Sequence, residues 1–187
     1  MPATVQETYT PDAYAANVVK KLNIEYNARI VENAVGGGSF VRAGRMHVPG
    51  CHITGFDIDP DAKGLSLCDE FEVKDALQIQ GQWDWALGNP RFGGPTIKTG
   101  RLEGEPAYIG AHHIAHILPK VRCAAFVLPF SWWVTQGVRK ALFDEFPPTE
   151  VWPAKGRLWP FLREAATYIW YPGTTKTTLQ KPGYEEL

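Results

Sequence analysis

Four short strand-like runs in this chain each stop on residues suited to binding or reacting. Residues 28–34 run into Gly36-Gly37-Gly38, and residues 51–57 end on Asp57. Residues 71–75 end on Asp75, and residues 83–88 run into Asn89-Pro90-Arg91-Phe92. Residues 28–34 read as a short buried strand, and the other three runs as further strands. Amphipathic stretches alternate with them. Tyr14, Val18 and Leu22 fall at i, i+4 and i+8, which predicts a helix capped by Thr10 with Pro11 at its first position. Residues 105–118 and 132–143 read as two more helices, and residues 122–129 as the most buried strand. The β-branched and aromatic content of residues 150–152 and 165–171 suits a C-terminal antiparallel hairpin. The expectation is an α/β fold with a mostly parallel seven-stranded sheet and helices on both faces. Ligands of such sheets sit beyond the carboxyl ends of the strands, where the four marked segments fall.

The bulk properties narrow the function. A chain of 187 residues, 44% hydrophobic, suits one domain spanning 1–187. The net charge of −1 gives no global attraction to a polyanion, so nucleic acid must be met by a local basic patch. Cys51, Cys68 and Cys123 are odd in number and lack CxxC spacing, which argues against a disulfide framework or zinc site and for a reducing compartment. With no leader pattern and no apolar run near the roughly 18 residues of a span, the expectation is a soluble, cytoplasmic protein without a membrane partner. His112, His113 and His116 have helical spacing but no Glu completes a His-Glu-x-x-His pattern. They read as structural or surface residues, and no metal is expected.

The glycine turn permits positive φ and close approach of the backbone to a ligand. Asp57 follows Gly38 by 19 positions (57 − 38), where a carboxylate ending the second strand can accept hydrogen bonds from both hydroxyls of a ribose. A dinucleotide fingerprint would need a third glycine, but Val41 stands there. The pattern favours a nucleoside ligand over a pyrophosphate one.

Tyr9-Thr10-Pro11, residues 31–40, Gly55-Phe56-Asp57-Ile58-Asp59-Pro60, Lys74-Asp75-Ala76-Leu77 and Gly88-Asn89-Pro90-Arg91-Phe92 occur in that order. Together they resemble the class I, Rossmann-like methyltransferases that modify exocyclic amino groups, above all the N6-adenine DNA methyltransferases. The resemblance covers about residues 9–129 and implies S-adenosylmethionine as cofactor. It implies that Thr10, Glu32, Gly36 and Gly38 line the methionine moiety and that Asp57 holds the ribose. Asp75 would hold the adenine amino group, with Ile58 against the adenine face and Asn89 beside the cofactor methyl. Asn33 stands where the family commonly has proline.

The segment Asn89-Pro90-Arg91-Phe92 resembles the family's Asn/Asp-Pro-Pro-Tyr/Phe motif, with Arg91 in place of the second proline. An aryl amine is a poor nucleophile because its lone pair is delocalised into the ring. The Asn89 side-chain oxygen and the Pro90 carbonyl can accept its two N–H bonds and favour a tetrahedral nitrogen, while Phe92 offers a face for base stacking. Arg91 is a candidate for a substrate phosphate. Trp132 and Trp133, and the basic-aromatic group including Lys155 and Arg157, are candidates for contacting the base and backbone. The expected partner is nucleic acid, DNA above all, with a homodimer or a recognition partner left open. An RNA base, a protein glutamine amide, or a catalytically silent cofactor-binding role are the alternatives.

Overall fold

The computed structural model describes residues 9–93, 104, 106–134, 137–155, 158, 164–173 and 177–179. Their elements run α1 (Asp12–Lys21), β1 (Arg29–Glu32), α2 (Ser39–His47), β2 (His52–Asp57), β3 (Glu70–Val73) and β4 (Trp83–Gly88). They continue with α3 (Ile109–Ile117), β5 (Val121–Pro129), α4 (Val138–Glu145), β6 (Glu150–Pro153), β7 (Ala165–Trp170) and β8 (Thr178–Leu179). One sheet joins all strands in the order β3-β2-β1-β4-β5-β7-β6-β8. The first five strands in that order run parallel, and β7 lies antiparallel between β5 and β6. The mostly parallel sheet and antiparallel hairpin match the sequence expectation. A two-residue eighth strand, parallel to β6, goes beyond the seven expected.

Two apolar layers cover the sheet. On one face, Ala15, Val18, Val19 and Leu22 of the α1 segment and Phe40, Val41 and Ala43 of α2 pack with Ile30, Ile53, Trp85 and Leu87. On the other, Ala111, Ile114 and Ile117 of α3 and Leu142 of α4 pack with Val31, Phe56, Ala86, Phe126 and Tyr168. Seven successive residues of β5, Cys123 to Pro129, are buried, as a central parallel strand covered on both faces requires. A bidentate Arg42–Asp12 ion pair, at 2.7 and 3.0 Å, ties α2 to α1. Asp12 in the first turn of α1 and Lys20 and Lys21 in its last also complement the helix dipole.

The connections after β2 and β3 are short. Each holds only a three-residue turn of 3-10 helix, Leu65–Leu67 and Ala76–Gln78. Edge strand β3 therefore has all four residues exposed. Among the described residues, no helix is long and apolar enough to cross a membrane.

Residues 71–75, read as a strand ending on Asp75, form instead the exposed edge strand Glu70–Val73, so Asp75 lies beyond the strand end. Other boundaries also differ from those read in the sequence. The cap of α1 is Pro11, not Thr10, and no side chain caps the helix. The carbonyl of Thr10 is instead held by the Ser39 hydroxyl at 2.7 Å, which draws this segment toward α2. The helix expected over residues 132–143 divides into a 3-10 turn, Phe130–Val134, and α4. Gly137, at φ +77°, separates them with a conformation no α-helix accommodates. Helix α3 starts at Ile109 because Tyr108 adopts φ +57°.

The loop after β2 folds back onto the glycine turn. The Gly64 N–H donates to the Gly36 carbonyl at 2.9 Å. A Cβ on Gly64 would lie 2.5 Å from both Cα and N of Gly38, backbone that cannot step aside. Gly64 itself has ordinary helical φ and ψ, so only space forbids a side chain there. Gly64→Ala is expected to destabilise the protein by about 1–3 kcal/mol, read as a lower midpoint in urea at unchanged slope.

Candidate functional site

The carboxyl ends of β1, β2 and β4 and the glycine turn meet at one end of the sheet. The turn carries Gly36 at φ +49° and Gly38 at φ +79°, the latter serving as N-cap of α2. Both values suit glycine and strain other residues. The ring of Tyr9 lies on the turn: a Cβ on Gly36 would stand 2.9 Å from Tyr9 Cε1, and one on Gly37 3.0 Å from its Cγ.

Asp57 closes β2 against this turn. Its Oδ2 accepts from the Gly36 N–H at 2.7 Å and its Oδ1 from the Asp59 N–H at 3.0 Å. One carboxylate therefore fixes both the glycine turn and the start of the next loop. Ile58, immediately after it, is 72% exposed, an unusual position for a large apolar side chain beside the buried end of a strand. Asp75 lies in the loop after β3, where its Oδ1 caps the following turn through the Leu77 N–H at 2.9 Å.

Among the described residues, several buried polar atoms here have no hydrogen-bond partner: Thr10 Oγ1, Glu32 Oε2, both amide atoms of Asn33, and Asn89 Oδ1. Glu32 is 3% exposed and Asn33 2%. A Cβ placed on Gly88 would lie 3.7 Å from both Asn33 Oδ1 and Glu32 Cγ, so these two side chains converge over the residue before Asn89. Buried polar groups are nearly always paired, and each one left unpaired costs about 1–3 kcal/mol. A group of them at the carboxyl ends of a parallel sheet, where ligands of such sheets sit, makes these residues candidates for meeting a polar ligand.

Glu32 carries the strongest electrostatic signature. Burial pushes its carboxyl well above the ordinary value, and the nearby charge of Asp57 pushes it further. The Val41 N–H in the first turn of α2 and the Arg42 guanidinium oppose the rise without cancelling it. Arg42 is itself engaged by Asp12 and donates to the Gly37 carbonyl at 2.8 Å, so it braces the turn.

Beyond β4, Pro90 is buried while Asn89, Arg91 and Phe92 are half-buried. Phe92 meets Trp132 edge-on, with centroids 6.0 Å apart. Trp132 is 2% exposed and forms core beneath Phe92, whereas Trp133 is exposed and packs on Phe143. Of the two tryptophans, only Trp133 presents much surface. Lys155 is exposed at the far end of the β6 segment, and Arg157 lies outside the described residues. His116 has a ring nitrogen 2.9 Å from the Ile79 carbonyl, a structural contact. The structure thus gathers Thr10, Glu32, Gly36, Gly38, Asp57 and Asn89 around the strand ends.

Sequence reading did not single out Gly64, whose neighbour Gly38 is distant in the chain. It noted Asn33 only as a departure from a family pattern. It also missed Arg139, whose guanidinium lies 4.1 Å from the centroid of the Tyr108 ring.

The raised Glu32 carboxyl makes a signed prediction. Between its ordinary value of 4.5 and its higher value in the native protein, the native state retains a proton that the unfolded chain has released. Stability therefore falls as pH rises through that window. Glu32→Gln removes this loss, so the melting temperature of the variant relative to wild type should climb as pH rises above 4.5. Thermal melts of both proteins across that range check it, and a flat difference contradicts the assignment.

No protein-family model matches the sequence, and no curated protein does. Solved structures do match. The modification subunit assigned to a type I restriction enzyme of Vibrio vulnificus YJ016 superposes with a TM-score of 0.70 at 17% identity, over 89% of this chain. The chain spans only 44% of that subunit's length. A Pyrococcus horikoshii protein assigned as an RNA methyltransferase gives 0.63 at 11% identity, over 88% of this chain and 87% of its own. The magnesium protoporphyrin IX methyltransferase of Synechocystis PCC 6803, with bound SAM, gives 0.56 at 14% identity, over 84% of this chain and 76% of its own. At these identities the likeness establishes the fold: the chain has the Rossmann-like fold of methyltransferases.

Proposed function

We propose that the protein is an S-adenosylmethionine-dependent methyltransferase acting on an exocyclic amine, N6 of adenine in DNA foremost. The observation that carries this reading is the set of unpaired buried polar atoms on Thr10, Glu32, Asn33 and Asn89 at the strand ends. Their chemistry fits the cofactor. Glu32 suits its ammonium group, the Gly36–Gly38 turn leaves backbone room beside it, and Asp57 suits the ribose hydroxyls. Exposed Ile58 suits the adenine face, and Asp75 its amino group. The bound cofactor supplies an electrophilic methyl on a sulfonium centre.

The chain's own part in transfer is to hold the amine. Asn89 Oδ1, buried and unpaired, accepts one N–H, and the Pro90 carbonyl accepts the other. This restrains the nitrogen in a tetrahedral form and directs its lone pair outward, which is catalysis by position and dipole rather than by a strong base. Phe92, braced edge-on by Trp132, gives the base a stacking face. Arg91, Trp133, Lys155 and Arg157 supply the nucleic-acid contacts in this reading, and likeness to a DNA-modification subunit supports DNA over other substrates. The reading is of one catalytic domain, 1–187, with recognition supplied by a second copy or a partner.

Removing Asn89 Oδ1 tests the amine assignment. Asn89→Ala is expected to bind S-adenosylhomocysteine within a few-fold of wild type while losing transfer by roughly 100-fold or more, as for removal of a preorganised hydrogen-bonding group. Calorimetry and single-turnover transfer to adenine-containing DNA measure the two halves. A folded variant with wild-type turnover refutes the role.

A further inference from the structure

We propose that Asn33 is a binding residue for the amino-acid end of the cofactor, pairing through its side-chain amide with the α-ammonium and the α-carboxylate together. The proposal rests on the S-adenosylmethionine reading above. It assigns a position that the family resemblance leaves without a role.

Asn33 is 2% exposed, yet neither its Oδ1 nor its Nδ2 has a partner among the described residues. A buried amide offers one acceptor atom and one donor group in a single plane. The ligand that satisfies both at once carries a donor beside an acceptor. An α-amino acid end does so within one carbon, its ammonium donating to Oδ1 and its carboxylate accepting from Nδ2.

Position supports the same ligand. Glu32 Cγ and Asn33 Oδ1 each lie 3.7 Å from the point where a Gly88 Cβ would stand. Glu32 and Asn33 therefore both come within ordinary contact range of the same point beside Gly88. The two side chains divide the task. Glu32 suits the ammonium, but with Asp57 nearby an acid-only wall would repel the carboxylate of the same ligand. The neutral amide supplies a donor there without adding charge, and Thr10, whose buried Oγ1 is also unpaired, offers another. Proline at position 33 could make neither bond, since it has no polar side-chain atom.

The test compares two ligands that differ only beyond the thioether sulfur. S-adenosylhomocysteine carries the amino-acid end, whereas 5′-methylthioadenosine carries the same nucleoside and a methyl group instead. Calorimetry is run on the full chain as wild type, Asn33→Ala, Asn33→Asp and Asn33→Pro. Asn33→Ala is expected to raise Kd for S-adenosylhomocysteine roughly tenfold or more, the scale of two lost charge-assisted hydrogen bonds, and to change Kd for methylthioadenosine less than twofold. Asn33→Asp should be worse still for S-adenosylhomocysteine, because it replaces the donor with a negative charge.

Equal weakening of both ligands would show a structural role and overturn the proposal, as would no change in either. Should Asn33→Pro fail to fold, Asn33→Ala and Asn33→Asp carry the test, with circular dichroism confirming the fold. A wild-type protein that binds S-adenosylhomocysteine no tighter than methylthioadenosine also overturns it while leaving the cofactor reading intact. A wild-type protein that binds neither refutes that reading itself.

Discussion

Unpaired polar atoms in a protein interior are costly, and this fold holds several of them at one end of its sheet. Glu32 and Asn33 at the end of β1, Asn89 after β4 and Thr10 before α1 each bury a polar atom that nothing among the described residues satisfies. Each such atom costs about 1–3 kcal/mol, against a total stability of only about 5–15 kcal/mol for a typical domain. A chain can hold them so only if the surrounding structure is rigid enough to forbid local escape. The surrounding contacts supply that rigidity. Asp57 pins Gly36, Gly64 presses on Gly38, Arg42 joins α2 to both α1 and the glycine turn, and Ser39 anchors Thr10.

The economy of the scaffold is concentrated elsewhere. The connections flanking β3 are reduced to short turns, and β3 is left exposed at the sheet edge. The central strands β1, β4 and β5, which carry or adjoin the site, keep their helices on both faces. Asp75, at the exposed edge, spends one oxygen capping its own loop.

Much of this was legible in the sequence because strands and their terminal residues are local signals. The runs ending at Gly36–Gly38, Asp57 and Asn89 predicted the parallel sheet, and the structure brings those segments to one end of it. Features that depend on residues meeting across the chain were not legible. Ordinary helical dihedrals at Gly64 leave no mark in sequence, since its need for glycine arises from Gly38, 26 positions earlier (64 − 38). Thr10 followed by Pro11 reads as a helix cap, but Ser39 holds the Thr10 carbonyl, Pro11 takes the cap position, and the Thr10 hydroxyl makes no cap bond. Trp132 and Trp133 look alike in sequence. Only the 3-10 turn after β5 decides that one becomes core and the other surface.

The central claim is that this end of the sheet brings an activated methyl group to an aromatic amine. It is tested most directly by incubating the protein and adenine-containing DNA with methyl-deuterated S-adenosylmethionine, then digesting the DNA to nucleosides for mass spectrometry. The account predicts N6-methyldeoxyadenosine carrying three deuteriums, formed in proportion to enzyme. DNA that acquires no deuterated methyl under saturating cofactor contradicts the assignment of adenine in DNA as the substrate.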